Sequence, residues 1–62
     1  MTFEDLYEIL ENSRLFSPAQ SRQIVQTCGR AGVGNAVLAC ELIGISLTGS
    51  DIDALYDSRR DD

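Results

Sequence analysis

The sequence contains no histidine, no lysine and no tryptophan, and only one proline and two cysteines among its 62 residues. Histidine is the commonest general base, and lysine supplies the amine for Schiff bases, so two frequent catalytic groups are missing. Cys28 has no candidate base that would activate its thiol as a nucleophile. Asp51 and Asp53 fall near a predicted helix start, where acidic residues commonly offset the helix dipole. We therefore predict that the chain is not an enzyme.

Metal ligands are also scarce, because the sequence has no histidine and only two cysteines. Two thiols cannot complete a four-ligand zinc site without carboxylates at matching spacing, and the sequence offers none. Cys28 and Cys40 fall on the apolar faces of predicted helices, so we expect free, buried thiols. The alternative is an intrachain disulfide between Cys28 and Cys40, which would be possible if two helices packed antiparallel at these positions. No metal and no cofactor is predicted.

Long apolar runs and targeting signals are also missing. No run approaches the roughly 20 residues of a membrane span. The first five residues, Met-Thr-Phe-Glu-Asp, carry neither the basic nor the apolar region of a secretory signal. The chain is therefore predicted to be cytoplasmic, with no membrane partner.

Positive charge is limited to five arginines against ten acidic residues, which gives a net charge of −5. The acidic excess lies in residues 1–15 and 41–62, whereas residues 16–40 contain two arginines and no acid. Nucleic-acid binding depends on Lys and Arg contacts to phosphate. Nucleic acid is therefore an unlikely partner.

Capping residues and apolar periodicity place the first two helices. Thr2 is predicted to cap a helix whose apolar positions recur at helical spacing. Its end is predicted in the polar run Asn12-Ser13-Arg14, where Asn tolerates the left-handed conformation and Arg offsets the helix dipole. Ser17, followed by Pro at the first helical position and Gln three residues after the cap, predicts the second start. Gly29 or Gly32 is predicted to end that helix. The stripe of the first helix comprises Phe3, Leu6, Tyr7 and Leu10.

Residues 33–43 are apolar nearly all round, and Glu41 is their only charge. A helix of this kind must be covered by its own fold or by a partner. We predict a third helix from about residues 34–35, with Gly44 just past its end. A fourth helix is predicted to begin at Ser50 or a neighbour.

Together these patterns predict an all-α fold, a compact bundle of three or four short helices. Residues 1–58 would form a single domain and residues 59–62 a frayed acidic tail. A chain this short buries only about 60% of its unfolded surface, so self-association into a homo-oligomer stays open.

Two resemblances bear on function. Gly32-Val33-Gly34, between two apolar helices, resembles the hairpin of helix-hairpin-helix DNA-binding modules, in which backbone N–H groups contact phosphate. Separately, residues 10–43 resemble the middle helices of a caspase-recruitment domain, most similar to those of cytosolic RNA-sensing receptors. The positions that carry this second resemblance are Leu15, Phe16, Ser17, Gln20, Ile24, Gly32, Ala36, Leu38 and Leu42.

The second resemblance implies a six-helix death fold that works by homotypic association, often through opposed charged patches. Three-helix binding folds of the ubiquitin-associated type would produce much the same pattern and stay open. Candidate surface contacts implied by the resemblance are Glu4, Glu8 and Glu11, with Arg22 or Arg30.

We therefore interpret the chain as a small acidic module that binds a protein partner through a helix face, with homotypic binding left open. The aromatic side chains are the candidate anchors: Phe3 and Phe16 are expected in the core, and Tyr7 and Tyr56 either in the core or at the surface. The alternative is a phage- or plasmid-type inhibitor whose acidity mimics nucleic acid; such a mimic should lose affinity steeply with salt. The candidate partner-binding residues are Glu4, Tyr7, Glu8, Glu11, Arg22, Arg30 and Tyr56.

Overall fold

The computed structural model describes residues 1–58, which form four helices and no strand. In chain order these are α1 (Phe3–Ser13), α2 (Pro18–Thr27), α3 (Val33–Leu42) and α4 (Gly49–Ser58). Both α1 and α3 pack against α2 and α4, so the four helices close into a compact bundle. The predicted all-α class is confirmed. The tail predicted at residues 59–62 lies outside the described residues.

Three of the four helices begin with a capping box. At α1 the Asp5 N–H donates to Thr2 Oγ1 at 3.1 Å, and the Thr2 N–H donates to the Asp5 carboxylate at 3.3 Å. The predicted capping box of Ser17 and Gln20 begins α2 in the same way. The Gln20 N–H donates to Ser17 Oγ at 3.2 Å, and the Ser17 N–H donates to Gln20 Oε1 at 3.0 Å. Such a cap stabilises a helix by about 1 kcal/mol, because it satisfies N–H groups that have no partner in the helix. The third box, between Thr48 and Asp51 before α4, is a signal that sequence reasoning missed.

The end of α3 is a Schellman motif, as the glycine after the helix predicts. Gly44 has a φ of +85°, in the left-handed region. The Ile45 N–H donates to the Cys40 carbonyl at 2.8 Å, and the Gly44 N–H donates to the Glu41 carbonyl at 3.2 Å. These two bonds satisfy carbonyls at the helix end and turn the chain sharply toward α4.

The first helix ends within the predicted run Asn12-Ser13-Arg14, but its left-handed residue and the end of the second helix differ from the predictions. The left-handed residue after α1 is Arg14, at φ +60°, and not Asn12. Ser13 accounts for this, because its hydroxyl donates to the Leu10 carbonyl and accepts the N–H of the residue after Arg14. The second helix ends at Thr27, where buried Cys28 continues in extended backbone, so Gly29 and Gly32 do not form a left-handed cap.

The core contains residues from all four helices. Its largest fully buried side chains are Leu6 and Leu10 of α1, Ile24 of α2 and Leu55 of α4. The predicted burial of Phe16 is confirmed, whereas Phe3 is 43% exposed, so its expected place in the core is wrong. Helical side chains lean toward the N-terminus, which carries the ring of this first helical residue past the end of the bundle.

The two cysteines are free and buried, as predicted. Burial raises the pKa of the Cys28 thiol. Burial also raises the pKa of Cys40, with a further contribution from Cys28. Both groups therefore stay protonated and unreactive near neutral pH.

Candidate interaction surface

Helix α3 buries its small side chains and exposes its large ones. Ala36, Ala39 and Cys40 are at most 1% exposed, whereas Leu38 is 59% exposed and Leu42 is 78% exposed. These two leucines are one helical turn apart, so they lie on the same side of the helix. A helix normally places its leucines in the core, and the reverse arrangement leaves an apolar ridge facing away from the bundle. We call Leu38 and Leu42 the leucine ridge.

The buried face of α3 explains why the ridge is outside. Val33 and Ala36 recur with Ala39 and Cys40 at helical spacing and face α2 and the core. Side chains this small allow the backbone of α3 to approach its neighbours closely, which leaves no room for a leucine between them. The ridge is therefore a consequence of which face of α3 fits the bundle.

A groove of about 540 Å³ lies at the C-terminal end of α3. Its walls come from α3, from the loop that follows the Schellman turn and from the start of α4. Residues of α3 and α4 meet in antiparallel order, because Tyr56 lies near Gly34 at one end of the pair and Ile52 lines the groove at the other. The residues that line the groove are Val37, Glu41, Gly44, Ile45, Ser46, Leu47 and Ile52.

The groove is lined by both apolar and polar surface, with one charged side chain. Val37, Ile45 and Leu47 are half-buried and pack against the core. The packing of the bundle therefore fixes this part of the groove lining. Glu41 is exposed and is the only charged residue among the lining residues. Glu41 lines the groove and follows Leu38 by three residues on α3, a spacing at which helical side chains are neighbours, so it lies between the groove and the leucine ridge.

The sequence around this surface contains only negative charge. No arginine occurs from residue 31 to residue 53, a stretch that carries Glu41, Asp51 and Asp53. The carboxylate of Asp51 accepts the Thr48 N–H at 3.0 Å in the capping box, so part of this charge also holds the start of α4. The groove therefore combines apolar walls with a negative surrounding charge.

The acidic residues predicted on α1 share one exposed side of that helix. Glu4, Glu8 and Glu11 follow i, i+4, i+7 spacing and are all exposed, and Tyr7 beside them is half-buried. These four residues form an acidic face that is separate from the groove lining.

The other three predicted residues lie on different elements. Arg22 is exposed on α2, and Arg30 is exposed in the connection between α2 and α3. Tyr56 of α4 is 41% exposed, and its hydroxyl would lie 3.7 Å from a Cβ added at Gly34. The tyrosine thus packs at the N-terminal end of α3, away from the groove.

Sequence reasoning found the apolar character of α3 but missed the leucine ridge and the groove. The available signal was the spacing of Leu38 and Leu42 opposite the set of alanines and cysteine. Leucine, alanine and cysteine are all apolar, so hydropathy does not distinguish the two sides of α3. Only the difference in side-chain size could have indicated which side faces the core.

Other kinds of site find no support in the described part of the chain. No group of three or more His, Cys, Asp or Glu residues within 1–58 could hold a metal ion. No helix in that range is long and apolar enough to cross a membrane. Val33, the central residue of the hairpin-like glycine motif, is 2% exposed and belongs to the core.

The described residues hold four helices, where the resemblance to caspase-recruitment domains implies six. Comparison with protein-family models, with curated proteins and with solved structures finds no match to this chain. The surface chemistry of α3 and α4 is therefore the basis on which function is proposed.

Proposed function

We propose that this chain is a protein-interaction module whose binding surface is the leucine ridge together with the adjoining groove. The observation that carries the proposal is the exposure of both leucines of α3 on one side of the helix. A contiguous exposed apolar patch on a small protein commonly marks an interaction site.

The energetics favour a partner that covers both parts of this surface. Burying a leucine side chain that is otherwise in water contributes roughly 1.5–3 kcal/mol. Loss of translational and rotational freedom on association costs about 4–15 kcal/mol, so two leucines alone do not hold a complex. The groove adds Val37, Ile45 and Ile52 as further apolar contacts. Ridge and groove together therefore offer a partner more apolar area to bury than the two leucines alone.

A second candidate follows from the acidic face of α1. Three exposed carboxylates at Glu4, Glu8 and Glu11 on one side of a helix would suit an inhibitor that occupies the basic site of a nucleic-acid-binding protein. Binding of this kind is mainly electrostatic and falls steeply as salt rises. Binding through the leucine ridge is mainly apolar, so its affinity should change little as the salt concentration rises.

The test is affinity capture from a nuclease-treated lysate of the organism that encodes the chain. Wild type is compared with Leu38→Ser/Leu42→Ser and with a matched surface double variant, Glu4→Gln/Glu8→Gln. We expect wild type and the α1 variant to retain the same protein, and the ridge variant to lose it. Raising the salt to about 0.5 M, where exposed charges are screened beyond a few ångströms, should leave this capture largely intact.

Both variants change exposed side chains, so each should keep the helical circular dichroism of wild type. A partner lost with the α1 variant and with salt, yet kept by the ridge variant, would favour the nucleic-acid mimic. Equal capture by all three proteins would contradict both candidates. Sedimentation equilibrium of wild type alone detects homotypic association.

A further inference from the structure

The groove contains one charged group, and its position limits what can bind there. Glu41 lies on the exposed side of α3 and lines the groove beside Val37 and Ile52. An occupant that buries apolar groups against these walls also covers the carboxylate. A carboxylate that loses water without gaining a cation or a hydrogen-bond donor is costly to bury. The occupant must therefore bring a cation or a hydrogen-bond donor to Glu41.

The acidic residues near the groove also favour a positively charged occupant. Residues 37–53, which include the groove lining, also carry Asp51 and Asp53 and contain no arginine. A basic partner is attracted to this side of the molecule from a distance, whereas an acidic one is repelled. A second copy of the chain has exposed Arg22 and Arg30, but its net charge of −5 repels it from this side of the molecule at long range.

The shape of the surface favours a helix as the occupant. Leu38 and Leu42 form an i, i+4 ridge, which is the unit that packs into the grooves between side chains of another helix. The groove beside the ridge lies between α3 and α4, where a further helix can lay its apolar face. Groove and ridge lie side by side on α3, so one amphipathic helix can contact both.

We propose that the groove and the leucine ridge bind an amphipathic helix of a partner protein that places an arginine or lysine against Glu41. This inference deepens the proposed function and rests on it. It assigns Glu41 as the residue that selects for basic partners, while Leu38 and Leu42 supply affinity without regard to charge.

The test uses two synthetic helices of about four turns with the same leucine positions, one with lysine and one with glutamate on the polar face. Their affinities for wild type are measured by fluorescence anisotropy at about 0.15 M ionic strength. Glu41→Arg is compared with Glu8→Arg, a matched charge reversal on the exposed face of α1 outside the groove.

We expect the lysine helix to bind wild type at least tenfold more tightly than the glutamate helix. Glu41→Arg should weaken the lysine helix by about tenfold, since one close charge pair of this kind is worth about 1.4 kcal/mol or more. It should also strengthen the glutamate helix. Glu8→Arg should change either affinity by less than about threefold, because it alters only the long-range field.

The outcomes separate this inference from the proposed function. Equal binding of both helices, lost in Leu38→Ser/Leu42→Ser, would overturn the role of Glu41 and keep the ridge as a binding surface. A lysine helix that responds equally to the two charge reversals and not to the ridge variant would show general attraction to an acidic protein, and would overturn both. Binding of neither helix would overturn the inference alone, because affinity capture with the ridge variant tests the function independently.

Discussion

The buried side chains of α3 contribute to stability, and its exposed leucines are available for binding. Ala36, Ala39 and Cys40 fill the core, while Leu38 and Leu42 contribute little to it, since they are 59% and 78% exposed. Replacing either leucine by serine should therefore leave the free energy of unfolding within about 0.5 kcal/mol of wild type. The same substitutions remove the largest apolar groups from the proposed binding surface. Residues 38 and 42 thus allow binding to be tested without a change of fold.

Ser21 is the one fully buried polar side chain of the described residues, and its hydroxyl has no hydrogen-bond partner there. An unsatisfied buried hydroxyl costs about 1–3 kcal/mol, and alanine also has the higher helix propensity. We expect Ser21→Ala to raise the free energy of unfolding by about 1 kcal/mol, measured by urea denaturation.

Ser13 is the matched control for that substitution. Its hydroxyl donates to the Leu10 carbonyl at 2.7 Å and accepts the Leu15 N–H at 3.3 Å. Ser13→Ala removes both bonds and should lower the free energy of unfolding by about 1 kcal/mol. If Ser21→Ala were destabilising as well, the hydroxyl of Ser21 would have a favourable role that its surroundings do not indicate.

Among the secondary-structure elements, the turn after α3 determines the geometry of the groove. Gly44 is left-handed, and the Ile45 N–H closes the turn onto the Cys40 carbonyl. This turn places Ile45, Ser46 and Leu47 along one wall of the groove. The conformation of a single glycine therefore connects the end of a helix to the proposed binding surface.

Gly44→Ala tests this connection. An L-residue in the left-handed region costs roughly 1–2 kcal/mol, so we expect a loss of that size in urea denaturation. Gly29→Ala is the matched control, because Gly29 has no left-handed φ and a Cβ there meets nothing within 4 Å. That change should be neutral or stabilise by about 0.4–1 kcal/mol, through the lower entropy of the unfolded chain. Equal effects at the two positions would contradict the assignment of strain to Gly44.

The starts of α1 and α2 could be predicted from the sequence because a capping box is formed by residues close together in the chain. Ser17 and Gln20 are three residues apart, and their hydrogen bonds need nothing else from the fold. The end of α2 could not be predicted in this way, since Cys28 leaves the helix to enter a core built by all four helices. The outward side of α3 depends on the same packing, and a helix that is apolar all round carries no periodic signal to reveal it.

Taken as a whole molecule, the bundle separates two acidic surfaces that are chemically different. The face of α1 offers three exposed carboxylates, at Glu4, Glu8 and Glu11, whereas the groove offers one carboxylate among apolar side chains. Sequence reasoning selected residues of α1 because charged side chains are recognisable one by one. The groove could not be predicted, because its lining comes from three consecutive elements that only the tertiary fold brings together.

Folding stability of the whole molecule should also depend on alkaline pH through the two buried thiols. Burial raises the pKa of Cys28 and Cys40 above the ordinary value of 9.0, so the folded state holds both protons more tightly than the unfolded chain does. This contribution is fully present below pH 9.0 and is lost as pH rises toward the higher pKa of the folded state. The free energy of unfolding, measured in urea from about pH 7.5 to pH 10, should therefore fall.

Cys28→Ala/Cys40→Ala separates the thiols from other groups that titrate in the same range. The double variant should be less stable at neutral pH, since it leaves small cavities in the core. Its free energy of unfolding should decline less between about pH 8.5 and pH 10, because the two proteins differ only in the thiols. Parallel pH profiles would mean that the thiols ionise as readily in the folded state as in the unfolded chain. A steeper decline in wild type would show that the closed core, assembled from all four helices, keeps both cysteines protonated.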